Sequence, residues 1–150
     1  MKYLFIIISF VFVANTSNAQ TRAPKKIREV FEQKYPDAQK VNWVGKGERQ
    51  KEWTAHYWIE NDSMQASYDH KGNWITTFTF IDPSELPEAV SFAIKDEYMS
   101  SEIIIAAKME QPDFDGYGVA FMYKKDRWGV QITKEGKVIR RRLTTGGFYL

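Results

Sequence analysis

His56 and His70 are the two side chains whose ordinary titration suits general-base chemistry near neutrality. Neither has a framed nucleophile beside it. No serine lies in a GxSxG elbow, and the sequence contains no cysteine. Asp113, Asp115 and Gly116 open like a calcium loop, but position twelve counted from Asp113 is Lys124, where such a loop needs a bidentate glutamate. A hairpin turn accounts for these residues, and another for Glu60, Asn61 and Asp62. Gly146-Gly147 lacks the lysine and the following helix of a phosphate loop. Arg140-Arg141-Arg142 is a basic run; on a strand its side chains alternate faces, and it reads as a solvated strand end. No catalytic residue, metal ligand or cofactor is expected, and the chain is not expected to be an enzyme.

What remains is aromatic. In residues 51–60 (KEWTAHYWIE), Trp53, Ala55, Tyr57 and Ile59 alternate with Thr54, His56 and Trp58, the pattern of a two-faced strand. If Trp53, Tyr57 and Ile59 face a covering helix, His56 and Trp58 lie on the other side. If Ile75 and Ile81 face it too, Trp74, Phe78 and Phe80 join Trp58. Arg140 and Arg142 are their counterparts in the second half. A sheet face bearing Trp, Phe and Arg has the composition of a protein-binding surface. The alternative is that these rings are core, covered by the other half of the chain or by its last residues.

These side chains must be positioned by a duplicated pattern. The segment APKKIREVFEQKYPDA from Ala23 and the segment LPEAVSFAIKDEYMSS from Leu86 align with a shift of 63. Pro24 falls on Pro87, Ile27 on Val90, Val30 on Ala93, Phe31 on Ile94 and Tyr35 on Tyr98. The spacing predicts two one-sided helices, each with proline at its first helical position. Pro36 ends the first helix, and the second ends near Tyr98. Strands are predicted at 39–46, 51–60, 63–68 and 73–81, then at 102–109, 117–124, 127–133 and 137–143. Turns fall at 69–72, 113–116, 125–126 and 134–136, with 82–85 as the linker. Residues 144–150 read as a short last strand or a tail. The expected fold is α+β: two tandem repeats, 20–81 and 82–150, each one helix packed on a four-stranded antiparallel meander.

The motif Phe31-x-x-Lys34-Tyr35-Pro36-Asp37-Ala38-x-x-Val41-x-Trp43 is distinctive. Together with Tyr68-Asp69-x-x-Gly72-x-Trp74 and the Leu86-Pro87 restart, it resembles the PepSY-like family, also called β-lactamase-inhibitor-like. In the second unit Met99-Ser100-Ser101 replaces Pro36-Asp37-Ala38, and Ala106 replaces Trp43. The resemblance implies secreted or periplasmic proteins of Gram-negative bacteria, with a helix-plus-sheet unit like that of the β-lactamase inhibitor protein. It carries no enzyme-contacting residue onto this chain, because the disulfide-bonded inhibitor shares none that can be matched here.

The N-terminus agrees with that compartment. Lys2, the apolar block Tyr3–Ala14 and the small residues Ser17 and Ala19 form a secretory signal over 1–19, with cleavage before Gln20. The apolar block is too short to span a bilayer, and no membrane span is expected in the mature chain. The 21 basic and 19 acidic residues nearly cancel, which disfavours nucleic acid as a partner. The expected function is a non-enzymatic periplasmic or secreted protein that binds an unidentified protein or peptide through Trp58, Trp74, Phe78, Phe80, Arg140 and Arg142. The alternatives are inhibition of a secreted hydrolase, either a β-lactamase or a protease, and sensing of a small ligand.

Overall fold

The computed structural model describes residues 22–47 and 50–144. The expected signal segment and the last six residues lie outside them. The chain runs α1 (Lys25–Lys34), β1 (Gln39–Lys46), β2 (Glu52–Ile59), β3 (Asp62–Asp69), β4 (Trp74–Ile81), a 3-10 turn (Pro83–Glu85), α2 (Glu88–Glu97), β5 (Glu102–Gln111), β6 (Phe114–Tyr123), β7 (Asp126–Thr133) and β8 (Val138–Leu143). All eight strands join one antiparallel meander in chain order. The two predicted four-stranded sheets are therefore one sheet. β4 pairs with β5 from Thr77↔Glu110 to Ile81↔Ala106, closing the seam between the halves.

Both helices pack on the same face. α1 inserts the buried Ile27 and Phe31 between Trp53, Ala55, Tyr57, Ala66 and Tyr68. The Phe31 ring meets Tyr57 edge-on at 4.9 Å and Trp43 at 5.2 Å, the tilted contact that aromatic quadrupoles favour. α2 inserts Val90 and Ile94 against Ala106, Val119, Phe121, Val130 and Ile132. Each helix has one apolar stripe, so each can cover only one side of the sheet.

The two helix starts have nearly the same backbone. Pro24 has φ −51° and ψ 145°, and Pro87 has φ −54° and ψ 145°. Both prolines stand at the N-cap, one residue earlier than predicted. Their extended ψ launches the helix, and the missing N–H costs nothing there. Tyr35 and Tyr98 end the helices with equally similar angles, φ −129° and −124°, each donating its N–H to the carbonyl four residues back. Between the halves, Asp82 and Glu85 form a reciprocal cap. The Asp82 carboxylate accepts from the Ser84 N–H at 2.8 Å, and Glu85 accepts from the Asp82 N–H at 3.0 Å.

Two predicted turns are displaced. β6 already begins at Phe114, so Asp115 and Gly116 are strand residues, paired with Glu110 and Met109. Asp115 forms an ion pair with Lys134 across the strands. The β6–β7 hairpin turns at Lys124 and Lys125, both with positive φ, so β7 starts at Asp126. The two-residue turn with left-handed backbone matches the twist of the flanking strands.

Candidate functional site

The sheet face opposite the helices is built by cross-strand register. One row runs His56, Gln65, Phe78, Met109, Gly116 and Thr133. The next runs Phe80, Ala107, Gly118, Gln131 and Arg140. A third runs Ile105, Ala120, Gly129 and Arg142. Large side chains lie toward β4 and arginines on β8. The floor between them is glycine and alanine, so it is low and smooth.

The predicted residues divide on this frame. Trp58 lies on this face and is 41% exposed, with the Lys40 ammonium 5.9 Å from its ring centre. Phe80 lies on the face and is half-buried. Arg140 and Arg142 are exposed on it, opposite Gln131 and Gly129. Arg141 points the other way and pairs with Glu97 of α2, with the Tyr98 hydroxyl at 3.2 Å.

Two of the predicted residues do not belong to an exposed surface. Phe78 is on this face but only 3% exposed, clustered with Ala107, Met109 and Ala120. It is a core residue of the seam between the halves. Trp74 is on the helix side. The register steps from Ser67↔Thr76 to Tyr68↔Trp74, so Ile75 is bulged and the alternation reverses there. The Trp74 indole N–H donates to Thr77 Oγ1 at 2.9 Å, and the Lys34 ammonium stands 4.1 Å from its ring centre.

Four polar residues buried on this face are paired. Thr54 Oγ1 and Ser67 Oγ are 2.9 Å apart, Gln131 Nε2 donates to Gln111 Oε1 at 3.0 Å, and Thr76 Oγ1 donates to the Glu110 carbonyl at 3.0 Å. His56 is exposed on this face; partial desolvation and the Lys46 ammonium lower its pKa, so the neutral imidazole is favoured. Among the described residues, no group of three or more His, Cys, Asp or Glu side chains is placed to hold a metal ion.

The separation of the residues matters. Strands lie about 4.8 Å apart, so Trp58 on β2 is roughly 10 Å from Phe80 on β4, and Phe80 is roughly 19 Å from Arg140 on β8. These residues do not converge on one point. They mark the breadth of a surface.

A second concavity was not foreseen. A cavity of about 570 Å³ opens between α1 and β1 and is lined by Phe31, Tyr35, Val41 and Trp43, with Arg22 and Arg28 among its polar groups. Its aromatic members stand in the motif singled out from the sequence, where their spacing signalled a helix and a strand rather than a cleft between them. A third feature lies at the end of α1: the half-buried Tyr35 ring meets Tyr57 at 5.0 Å in a tilted contact, Phe31 packs edge-on to the buried Tyr57 and Tyr68, and burial raises the pKa of all three phenols.

Among the described residues no helix is long and apolar enough to cross a membrane. No family model matches the sequence, and no curated protein matches it. Solved structures do share the fold. A BLIP-like protein from Bacteroides fragilis is similar with a TM-score of 0.69 at 19% identity, covering 84% of this chain and 89% of that one. A DUF2874 family protein from Bacteroides uniformis is similar with a TM-score of 0.70 at 20% identity, covering 81% and 90%. A Bacteroides eggerthii protein described as periplasmic is similar with a TM-score of 0.69 at 16% identity, covering 81% and 89%. The chain thus has the α+β fold of the BLIP-like proteins.

Proposed function

We propose that this chain is a non-enzymatic, exported binding protein of the bacterial envelope, and that it engages a protein partner through the sheet face opposite its helices. The breadth of that face carries the reading. Seven inter-strand spacings give roughly 34 Å from β1 to β8, the scale of a protein interface rather than of a small-molecule pocket. Trp58 and Phe80 supply aromatic anchors, and Arg140 and Arg142 supply charge that suits carboxylates on the partner. The BLIP-like and periplasmic descriptions of the structural neighbours, together with the secretory signal and the PepSY-like motif, support the compartment. We further read the chain as two PepSY-like units over 20–81 and 82–150, supported by the matched caps at Pro24 and Pro87 and at Tyr35 and Tyr98.

The test is affinity capture from envelope extract with the mature chain, beside a folded variant carrying Trp58→Ala, Arg140→Ala and Arg142→Ala. A protein held by the wild type and lost by the variant is expected. A partner held equally by both would remove the site from this face. Titration of the captured partner, and of a panel of β-lactamases and proteases, then separates simple binding from inhibition of a hydrolase.

A further inference from the structure

We propose that the outer edge of β1 and the adjoining cleft take an acidic, extended segment of a partner protein as an added antiparallel strand. This surface adjoins the helix-free face at β1 but is reached from the edge of the sheet. The proposal rests on the two-unit reading above, because the second unit supplies its template.

Three observations converge. First, β1 is the end of the sheet, and no described strand pairs with its outer side. Every second N–H and C=O of such a strand points outward, ready to bond another chain. The register irregularity is confined to Gln39–Asn42, and pairing with β2 is regular from Asn42 to Lys46. Five residues of undistorted edge therefore remain, carrying Val44 at 39% exposure.

Second, the molecule already contains the complex being proposed. Shifting β1 by 63 places Trp43 on Ala106 of β5, and β5 has a strand on the corresponding side: β4. There, Ile81 stands directly opposite Ala106 and packs against the Leu86, Val90 and Ile94 cluster of α2. In the first unit the equivalent place is the cleft between α1 and β1. A guest residue opposite Trp43 would enter it as Ile81 does against α2. Trp43 is larger than Ala106 and takes part of the space, which favours valine over a ring. The residues after Ile81 turn toward the start of α2. By the same geometry, the guest residues after the valine approach the start of α1.

Third, the charge selects the guest. β1 carries Lys40 and Lys46 and no acidic residue. Arg22 and Arg28 line the cleft, with Glu32 as its one acid among the lining residues. A carboxylate opposite Lys46 would share its ammonium with Glu52, 4.0 Å away on β2, two following the valine would meet the arginines, and a basic segment would be repelled.

The probe is the fluorescein-labelled peptide Thr-Glu-Thr-Val-Val-Asp-Glu, followed by anisotropy against the purified mature chain. Saturable binding in the micromolar range is expected. A twin with lysine at each acidic position should not bind, and a twin N-methylated at alternate residues should lose binding because it cannot complete the ladder. Arg22→Glu, at an exposed position ahead of α1, should weaken binding about tenfold or more, while Phe92→Ser, on the exposed side of α2, should leave it unchanged. Failure of the peptide to bind at millimolar concentration, equal binding of the lysine twin, or indifference to Arg22→Glu would overturn the proposal. So would a peptide-independent dimer joined through β1, since the occupant would then be a second copy. The peptide is read on the purified chain without the captured partner, so loss of the helix-free-face reading leaves this result untouched, and the reverse holds.

Discussion

His56 shows how one residue links charge to stability. It stands on β2 facing away from the helices, and the Lys46 ammonium is close enough to oppose its protonation. The side chain is exposed, and partial desolvation by the neighbouring strands acts in the same direction as the larger cause. Its folded pKa therefore lies below the ordinary value of about 6.5 that it regains on unfolding. Between those two values the unfolded chain binds more protons than the folded one, so stability rises with pH and falls on acidification. Urea denaturation of the wild type at several pH values between about 5 and 7.5 should show this slope. In His56→Gln the slope should flatten while stability at the alkaline end changes little. An unchanged slope would assign it to other groups.

At the scale of elements, the turns explain what the sequence could and could not announce. Gly136 has φ +86° and Gly72 has φ +91°, conformations that any side chain enters at a cost of about 1 kcal/mol. They differ in what a Cβ would meet. At Gly136 it would lie 2.5 Å from the Ala89 carbonyl oxygen, on the backbone of α2. At Gly72 the nearest atoms are the flexible Lys26 side chain at 3.7 Å or more. Gly136→Ala should therefore lower the melting temperature clearly more than Gly72→Ala, because α2 has to move away from the β7–β8 turn. Equal losses in the two variants would mean that backbone strain alone is felt. The alternation in Trp53–Ile59 and the heptad-like spacing of Ile27 and Phe31 made strands and helices readable without coordinates. The side of Trp74 was not readable, because one bulged residue, Ile75, reverses the alternation and leaves no mark in composition. Phe78 kept the expected face but is buried by Ala107, Met109 and Ala120 across the seam, a long-range contact that no local pattern announces, whereas Trp58, Phe80, Arg140 and Arg142 fell where a regular strand puts them.

Whether the two halves make one folding unit is decided on the face without helices. The α1 and α2 cores are separate clusters, one in each half. The third cluster is shared: Phe78 comes from the first half, and Ala107, Met109 and Ala120 come from the second. A boundary at residues 81–82 would expose all of them and strip β4 of β5, one of its two partner strands. The seam thus makes each half dependent on the other, although the helix caps are nearly alike. Truncating the buried Phe78 to alanine should cost about 3–5 kcal/mol, the range for a large ring lost from a packed core. The distribution of tryptophan allows the coupling itself to be measured. Trp43, Trp53, Trp58 and Trp74 report on the first half, and only Trp128 lies in the second. In a Trp128→Phe background, fluorescence follows the first half alone while far-ultraviolet circular dichroism follows both. The two urea curves should coincide in midpoint and slope, as for a single two-state unit. With Phe78→Ala added, both should shift together to lower urea. Fluorescence shifting while dichroism becomes biphasic would show instead that the second half stands alone, and that the continuous ladder from β4 to β5 contributes register without cooperativity.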